Sequence, residues 1–206
     1  VSEIFTYLED VETYINELDS EVAADIIESM DADDAVDVLD ELEEEKSQEL
    51  IELLDEESRH DIDLIHSYDE DEIGSYMTTN FIVIKRGVAV RQAMKALVDQ
   101  AAENDNIGTV YVEESDGTFY GAIDLKDLII ARDYTQLEDL ISTSYPYVYA
   151  KETVEQCIED LKDYSEDSIP VLDNDNRILG VITAQDLIEV VDEEMGEDYA
   201  MLGGLT

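Results

Sequence analysis

The sequence predicts an α+β multi-domain fold: an acidic all-α superhelical repeat domain, then a tandem α/β module, then the start of a connecting helix. Three observations predict it. The first is charge. The 206 residues carry 56 Asp and Glu against 11 Lys and Arg, a formal net charge of -45. The second is a twelve-residue repeat in the first third of the chain. The third is a strand–helix–strand–turn–strand–helix unit that occurs twice, in register at an offset of 59.

The acid is unevenly placed. Residues 1–74 hold 29 acidic and 2 basic side chains. Self-repulsion of that size opposes compaction. Disordered acidic segments lack large apolar residues, yet 44% of this chain is hydrophobic, and Ile26, Ile27, Val38, Leu39, Leu50, Ile51, Leu53 and Leu54 recur regularly in the acidic part. The chain can bury a core and needs positive charge from elsewhere: a basic protein, solvent cations or divalent metal. Direct nucleic-acid binding is excluded, because phosphate needs a basic stripe. An anionic membrane surface is disfavoured for the same reason.

The repeat comes first along the chain. Asp19–Met30, Asp31–Leu42 and Glu43–Leu54 align at a period of 12. Each unit opens with a polar cluster able to accept the free amides of a helix N-terminus. About two helical turns follow, with an apolar pair and a closing Met or Leu. The segments 3–8 and 14–18 read as earlier copies, although Leu8 to Leu18 spans only 10 residues. Helices this short are marginal alone, and stacking would bury one continuous core. A helix from Asp55 to about Ile65 leads into Tyr68-Asp-Glu-Asp-Glu-Ile-Gly-Ser-Tyr-Met-Thr78.

The pattern then changes. Residues 81–84 read as a strand, 90–101 as a helix, 109–112 as a strand, 114–117 as a hairpin turn, 119–123 as its return strand and 124–131 as a helix. The second copy offers strands at 145–149, 169–172 and 178–182, a turn at 173–176, and helices at 154–163 and 184–191. Gly121 matches Gly180, Asp127 matches Asp186 and Leu128 matches Leu187.

A single cysteine, Cys157, rules out an internal disulfide and fits a reducing compartment. No run of 18 apolar residues is present, so no bilayer span is expected. Both ends read as cut, which suggests one soluble part of a longer protein. Asp173-Asn-Asp-Asn176 fails as an EF-hand, because Ile178 stands where the loop needs Gly and Ala184 where it needs Glu. His60 and His66 lack cysteine neighbours, so zinc is not expected. No nucleophile–base pairing, P-loop or dinucleotide fingerprint is evident, so no enzyme is expected.

Carboxylate spacing is more telling. Asp33 and Asp37 are four apart on one repeat helix; Asp186 and Glu189 are three apart; Glu194, Glu197 and Asp198 follow at offsets of three and four. Each set shares a helix face. Mg2+ suits such faces, since it takes oxygen ligands, keeps several waters and needs only one or two carboxylates. For the chain as a whole, cation binding is the expected answer to its charge.

Gly121-Ala-Ile-Asp-Leu-Lys-Asp127 and Gly180-Val-Ile-Thr-Ala-Gln-Asp186 resemble the closing signature of CBS motifs. In that family two motifs pack through their sheets, and the strand-to-helix turn can hold a ribose. The resemblance puts a nucleotide candidate, ATP, at Asp127, Thr183 and Asp186. The whole chain is similar to the cytosolic region of MgtE-type magnesium transporters, most specifically through the junction at residues 68–78. That resemblance implies an acidic N domain at 1–67, a junction at 68–77, CBS motif 1 at 78–136, CBS motif 2 at 137–193 and the start of a connecting plug helix at 194–206. It implies a homodimer formed through the CBS motifs, attached to its own transmembrane domain on the cytoplasmic face of the cell membrane. It implies several weak Mg2+ sites whose ions join the N domain, CBS motifs and plug helix and favour a closed pore. Their ligands would be Glu3, Asp33 and Asp37, a carbonyl at Ser75, and Glu155, Asp186, Glu189, Glu194, Glu197 and Asp198. One departure is Ser165, which stands where the family can carry a ligand Asp, flanked by Asp163 and Glu166. The alternatives are an adenine-nucleotide-responsive CBS module whose acidity aids solubility, and an acidic interaction solenoid with a basic partner.

Overall fold

The computed structural model describes residues 11–161, 165–188 and 190. The expected first helical copy at 3–8, the plug helix at 194–206, and the candidate ligands Glu3, Glu189, Glu194, Glu197 and Asp198 lie outside the described residues. The chain divides between Asp69 and Glu70 into two compact units.

In the first unit five short helices follow one another: α1 (Val11–Glu17), α2 (Ser20–Glu28), α3 (Ala32–Glu41), α4 (Glu44–Leu53) and α5 (Glu56–Ile65). The residues preceding α2 to α5 are Asp19, Asp31, Glu43 and Asp55, all in extended backbone and spaced twelve apart. Asp19 Oδ1 accepts from the Glu21 amide at 3.1 Å, and Asp55 Oδ1 from the Ser58 amide at 2.7 Å. Such caps are worth about 1 kcal/mol each. Helix α5, expected from the sequence as a helix, is thus a fourth copy in phase with the other three. Helix α1 starts nine residues before α2 and sits out of phase.

Alternate helices pack together: α1 on α3, α2 on α4, and α3 on α5. That arrangement is the superhelix expected of a stacked repeat. Its core holds Ile15, Ala23, Ala24, Ile27, Ala35, Val36, Val38, Leu39, Leu50, Leu54, Ile62 and Ile65. Polar ties run across it. Lys46 Nζ donates to Ser20 Oγ at 2.6 Å, the Asp55 amide donates to Glu28 Oε1 at 2.6 Å, and His66 Nε2 lies 3.2 Å from Asp40 Oδ1.

The second unit holds two three-stranded sheets of identical topology. The first contains β1 (Ile82–Lys85), β2 (Thr109–Glu113) and β3 (Phe119–Asp124), with helices α6 (Val90–Gln100) and α7 (Leu125–Ile130). The second contains β4 (Val148–Tyr149), β5 (Ser168–Leu172) and β6 (Ile178–Thr183), with α8 (Val154–Leu161) and a helical turn at 184–188. In each, the first pair is parallel across a helical crossover and the second is an antiparallel hairpin. The bulges match too, at Val112/Glu113 and Val171/Leu172. So do the turns: Gly117 has φ +88° and Asn176 φ +60°. Glycine and asparagine are residues that tolerate the left-handed region.

Strand alternation separates two cores. Val110 and Val112 point with Ile82, Ile84, Ile123 and Leu128 toward α6 and α7. Tyr111, between them, points into the seam between motifs with Ala122, Val181, Phe81, Phe119 and Tyr145. Its hydroxyl is hydrogen-bonded to Ser168 Oγ, and Tyr145 Oη donates to the Ser168 carbonyl at 2.7 Å. The strand expected over 145–149 shrinks to two residues. Pro146 has no amide to donate, and Tyr145 is committed to the seam instead.

The motifs are laced together by two straps. Thr78 and Val181 exchange backbone hydrogen bonds at 2.9 Å each, so residues just before the first sheet lie against the last strand of the second. Ser142 and Ala122 make the mirror exchange at 2.8 and 3.1 Å. Gly121 and Gly180 lie beneath these crossings. A Cβ on Gly121 would sit 2.5 Å from the Ser142 carbonyl oxygen, and one on Gly180 2.7 Å from that of Thr78. The matched glycines of the sequence are therefore where one backbone crosses another. The junction is stitched to motif 2 as well: Ile73 donates to the Glu152 carbonyl at 2.8 Å, Gly74 to that of Ala150 at 2.9 Å, and Val154 back to Asp71 at 3.0 Å.

Candidate functional site

The closing strand of each α/β unit runs straight into a helix, and the two first turns are built differently. In the second unit the Thr183 amide and hydroxyl donate to Asp186 Oδ2 at 2.9 and 2.7 Å. The Asp186 amide returns a bond to Thr183 Oγ1 at 3.3 Å. This is a reciprocal capping box, with Asp in the place of Glu. The structure therefore brings Thr183 and Asp186 together as the sequence suggested, and gives their pairing a helix-starting role. In the first α/β motif Asp124 replaces the threonine, its Oδ1 accepting from the Lys126 amide at 2.7 Å. Asp127 is exposed one turn along. Asp124 and Asp127 put two carboxylates on this first turn, which disfavours a phosphate there.

The candidate metal ligands fall in both units. Asp33 and Asp37 share α3, one turn apart; Asp33 is 9% exposed, while Asp37 faces solvent. Ser75 lies in a 3-10 turn (Ile73–Tyr76), with its hydroxyl donating to the Glu72 carbonyl at 2.8 Å. Glu155 is exposed in the first turn of α8, next to the Val154 amide held by Asp71. Asp186 is half-buried. Among the described residues no three His, Cys, Asp or Glu side chains converge closely enough to form a preassembled cage. Mg2+ does not require one, because it retains waters and takes one or two carboxylates.

Four residues that sequence reasoning passed over, Arg86, Glu114, Glu138 and Tyr120, form an electrostatic cluster beside the first sheet. Arg86, just past β1, donates through Nη1 to Glu114 Oε1 at 2.6 Å, and through Nε and Nη2 to Glu138 at 3.2 and 2.8 Å. Its guanidinium carbon lies 3.8 Å from the Tyr120 ring centroid, and Tyr120 Oη donates to Glu138 Oε1 at 2.5 Å. Hydrogen bonds from Arg86 and then Tyr120 hold the Glu138 carboxyl below its ordinary range. The Lys85–Glu113 pair at 2.6 Å adjoins it. The available signal was scarcity: each of 11 basic residues among 56 acidic ones merits a search for its partners.

Apolar side chains also stand out on the helices of this unit. Val98 on α6, Ile129 and Ile130 on α7, and Ile188 on the last turn are 59–62% exposed. Ile129 and Ile188 are again 59 apart. No helix among the described residues is long and apolar enough to cross a membrane.

Comparison with known proteins adds three findings. The MgtE intracellular N domain family matches residues 1–71, and the CBS domain family matches 73–134 and 137–193. The chain is 34% identical to magnesium transporter MgtE of Enterococcus faecalis over 143 residues, 69% of this chain and 31% of that protein. It is 28% identical to the Thermus thermophilus MgtE over 148 residues, 72% of this chain and 33% of that protein. It thus spans about a third of the length of these curated relatives. Among solved structures, the soluble part of a magnesium transporter superposes with a TM-score of 0.86 at 31% identity, covering 94% of this chain and 77% of that one. The cytosolic domain of the Mg2+ channel MgtE in complex with ATP superposes with a TM-score of 0.84 at 27% identity, covering 92% and 78%.

Proposed function

The chain belongs to the MgtE magnesium-transporter family, as an MgtE intracellular N domain followed by a CBS pair, and from that premise we propose that it is the Mg2+-sensing regulatory region of a magnesium transporter. In this reading Mg2+ ions are held by carboxylates of the N domain, the CBS pair and the plug helix. They favour the closed state, and falling Mg2+ releases it. The region works as a homodimer through its CBS helices, where Val98, Ile129, Ile130 and Ile188 supply an apolar face. It serves a transmembrane domain from the cytoplasmic side and has no catalytic role.

One observation carries the reading: residues 1–74, the stretch that contains the helical repeat and its junction, bear 29 acidic and 2 basic side chains. Such a surface is a standing demand for mobile cations. The ligand set is Asp33, Asp37, the Ser75 carbonyl, Glu155 and Asp186, completed by Glu3, Glu189, Glu194, Glu197 and Asp198. Weak sites suffice. A switch from about 1:99 to 99:1 takes roughly 5.5 kcal/mol, which about four ions, each favouring the compact state tenfold, would supply. The test is small-angle scattering and thermal unfolding in chelator and in about 10–20 mM Mg2+, a range suited to weak carboxylate sites, with NaCl at matched ionic strength. Mg2+ should shrink the particle and raise Tm beyond the NaCl control. Unchanged dimensions and Tm on chelation would end the sensing interpretation.

A second reading, nucleotide response, is favoured by the Thr183–Asp186 turn and by the ATP-bound state of a solved relative. Calorimetry with ATP separates the two. Binding abolished by Asp186→Ala and unaffected by Asp127→Ala would assign ATP to the second motif.

A further inference from the structure

We propose that Arg86 is the resident counter-cation of a two-carboxylate corner in the first CBS motif, standing where a divalent ion would serve, so that this corner closes with or without Mg2+. The groups it gathers come from three places. Arg86 directly follows β1, Glu114 opens the β2–β3 turn, and Glu138 lies in the 3-10 turn (Leu137–Leu140) that leads into the second motif. One guanidinium contacts both carboxylates at 2.6 to 3.2 Å, so without it two like charges would face each other across a few ångströms. That donor set, two carboxylates with the Tyr120 hydroxyl and open solvent beside it, is what Mg2+ accepts with its remaining waters. Arginine supplies the positive charge as a fixed planar fork that binds carboxylates in bidentate fashion.

The second motif supports this from the opposite direction. Ala150 occupies the place of Arg86: its amide donates to the Leu172 carbonyl at 2.9 Å, as the Arg86 amide does to that of Glu113 at 2.8 Å. There Tyr149 and Leu172 replace Lys85 and Glu113. At the position of Glu114 the second motif keeps an acid, Asp173, but its Oδ1 accepts from the Asp175 and Arg177 amides at 2.8 and 2.9 Å in place of a guanidinium. The second motif thus answers its acid with backbone amides, whereas the first answers Glu114 with a guanidinium that also reaches Glu138 at the entrance to the second motif.

The test uses the whole chain in chelator and in 20 mM Mg2+, against NaCl at matched ionic strength. Arg86→Gln should gain a larger Mg2+-dependent rise in Tm than the parent, by about 3 °C for one added weak site. Arg86→Gln/Glu138→Gln should lose that extra rise, and Arg86→Lys should stay nearer the parent. Mn2+ should broaden the Tyr120 ring resonances of Arg86→Gln and leave those of the parent unbroadened. An equal Mg2+ increment in Arg86→Gln and parent would overturn the inference. So would an Arg86→Gln chain that stays unfolded even in Mg2+, since the ion could then not replace the guanidinium. The result is separable from the sensing function, because a parent indifferent to Mg2+ beside a responsive Arg86→Gln sinks one and sustains the other.

Discussion

The two CBS motifs share strand order, bulges, left-handed turn residues and strap glycines, and differ in how they treat charge. Motif 1 neutralises Glu113, Glu114 and Glu138 with Lys85 and Arg86. Motif 2 has a tyrosine and an alanine at the two cationic positions and carries its half-buried acid on the helix-starting turn at Asp186. Backbone architecture is therefore duplicated while electrostatics are not. Lys85 and Arg86 serve the first copy, and the matching positions of the second, Tyr149 and Ala150, carry no charge.

The largest expected effect tests what the copies share. Gly121→Ala sets a methyl against the Ser142 carbonyl oxygen and the Ile141 side chain, 2.5 and 2.7 Å from its ideal position. Overpacking against backbone should cost about 3 kcal/mol, at the upper end for such changes. Gly180→Ala meets the Thr78 oxygen at 2.7 Å and the pliant Met77 sulfur at 3.0 Å, and should cost about 2 kcal/mol. Urea unfolding followed by circular dichroism measures both, and a neutral result at either position would refute a close-packed strap there.

A middle effect tests where the copies part. Asp186→Ala removes a reciprocal cap and should cost about 1 kcal/mol. Asp127→Ala, at the matching exposed position, should cost a few tenths at most. Equal losses would mean that the two first turns are equivalent after all. The smallest effect is a pH dependence. The Glu138 carboxyl is held low in the folded state by Arg86, so its contribution is present above the ordinary carboxylate value of 4.5 and is lost as pH falls through the folded value. Arg86→Gln should flatten that limb of the stability–pH curve. The change will be slight, because the pair is solvent-exposed, and a steeper limb in the variant would contradict the assignment.

Much of this architecture was legible because it rests on local spacing. Asp19 and Asp31 announce the twelve-residue phase, and the Gly121/Gly180 match announces the duplicated sheet. The copy beginning at Asp55 was harder to see. Arg59 and His60 stand where earlier copies carry Ala23-Ala24 and Ala35-Val36, as suits a final repeat with a polar outer face. The site was legible only in part. Thr183 and Asp186 are three residues apart, so a capping box can be read by eye. Arg86 and Glu138 are 52 apart, and Thr78 and Val181 farther still. Their meeting depends on how two sheets fold back on each other, which periodicity does not encode. Ser75 and Glu155 were chosen by resemblance, and the structure places each beside the stitched junction.

The strap from Thr78 to Val181 also has a temporal consequence. A chain emerging from the ribosome presents the acidic repeat first, and its tether follows long before the strand that will receive it. Until β6 clears the exit, Thr78 has no strand to pair with, and the repeat remains connected to an unfinished sheet. Pulse-chase proteolysis of stalled nascent chains, with a C-terminal linker that either keeps β6 inside the exit tunnel or lets it emerge, should show the segment around Thr78 protected only once β6 is outside.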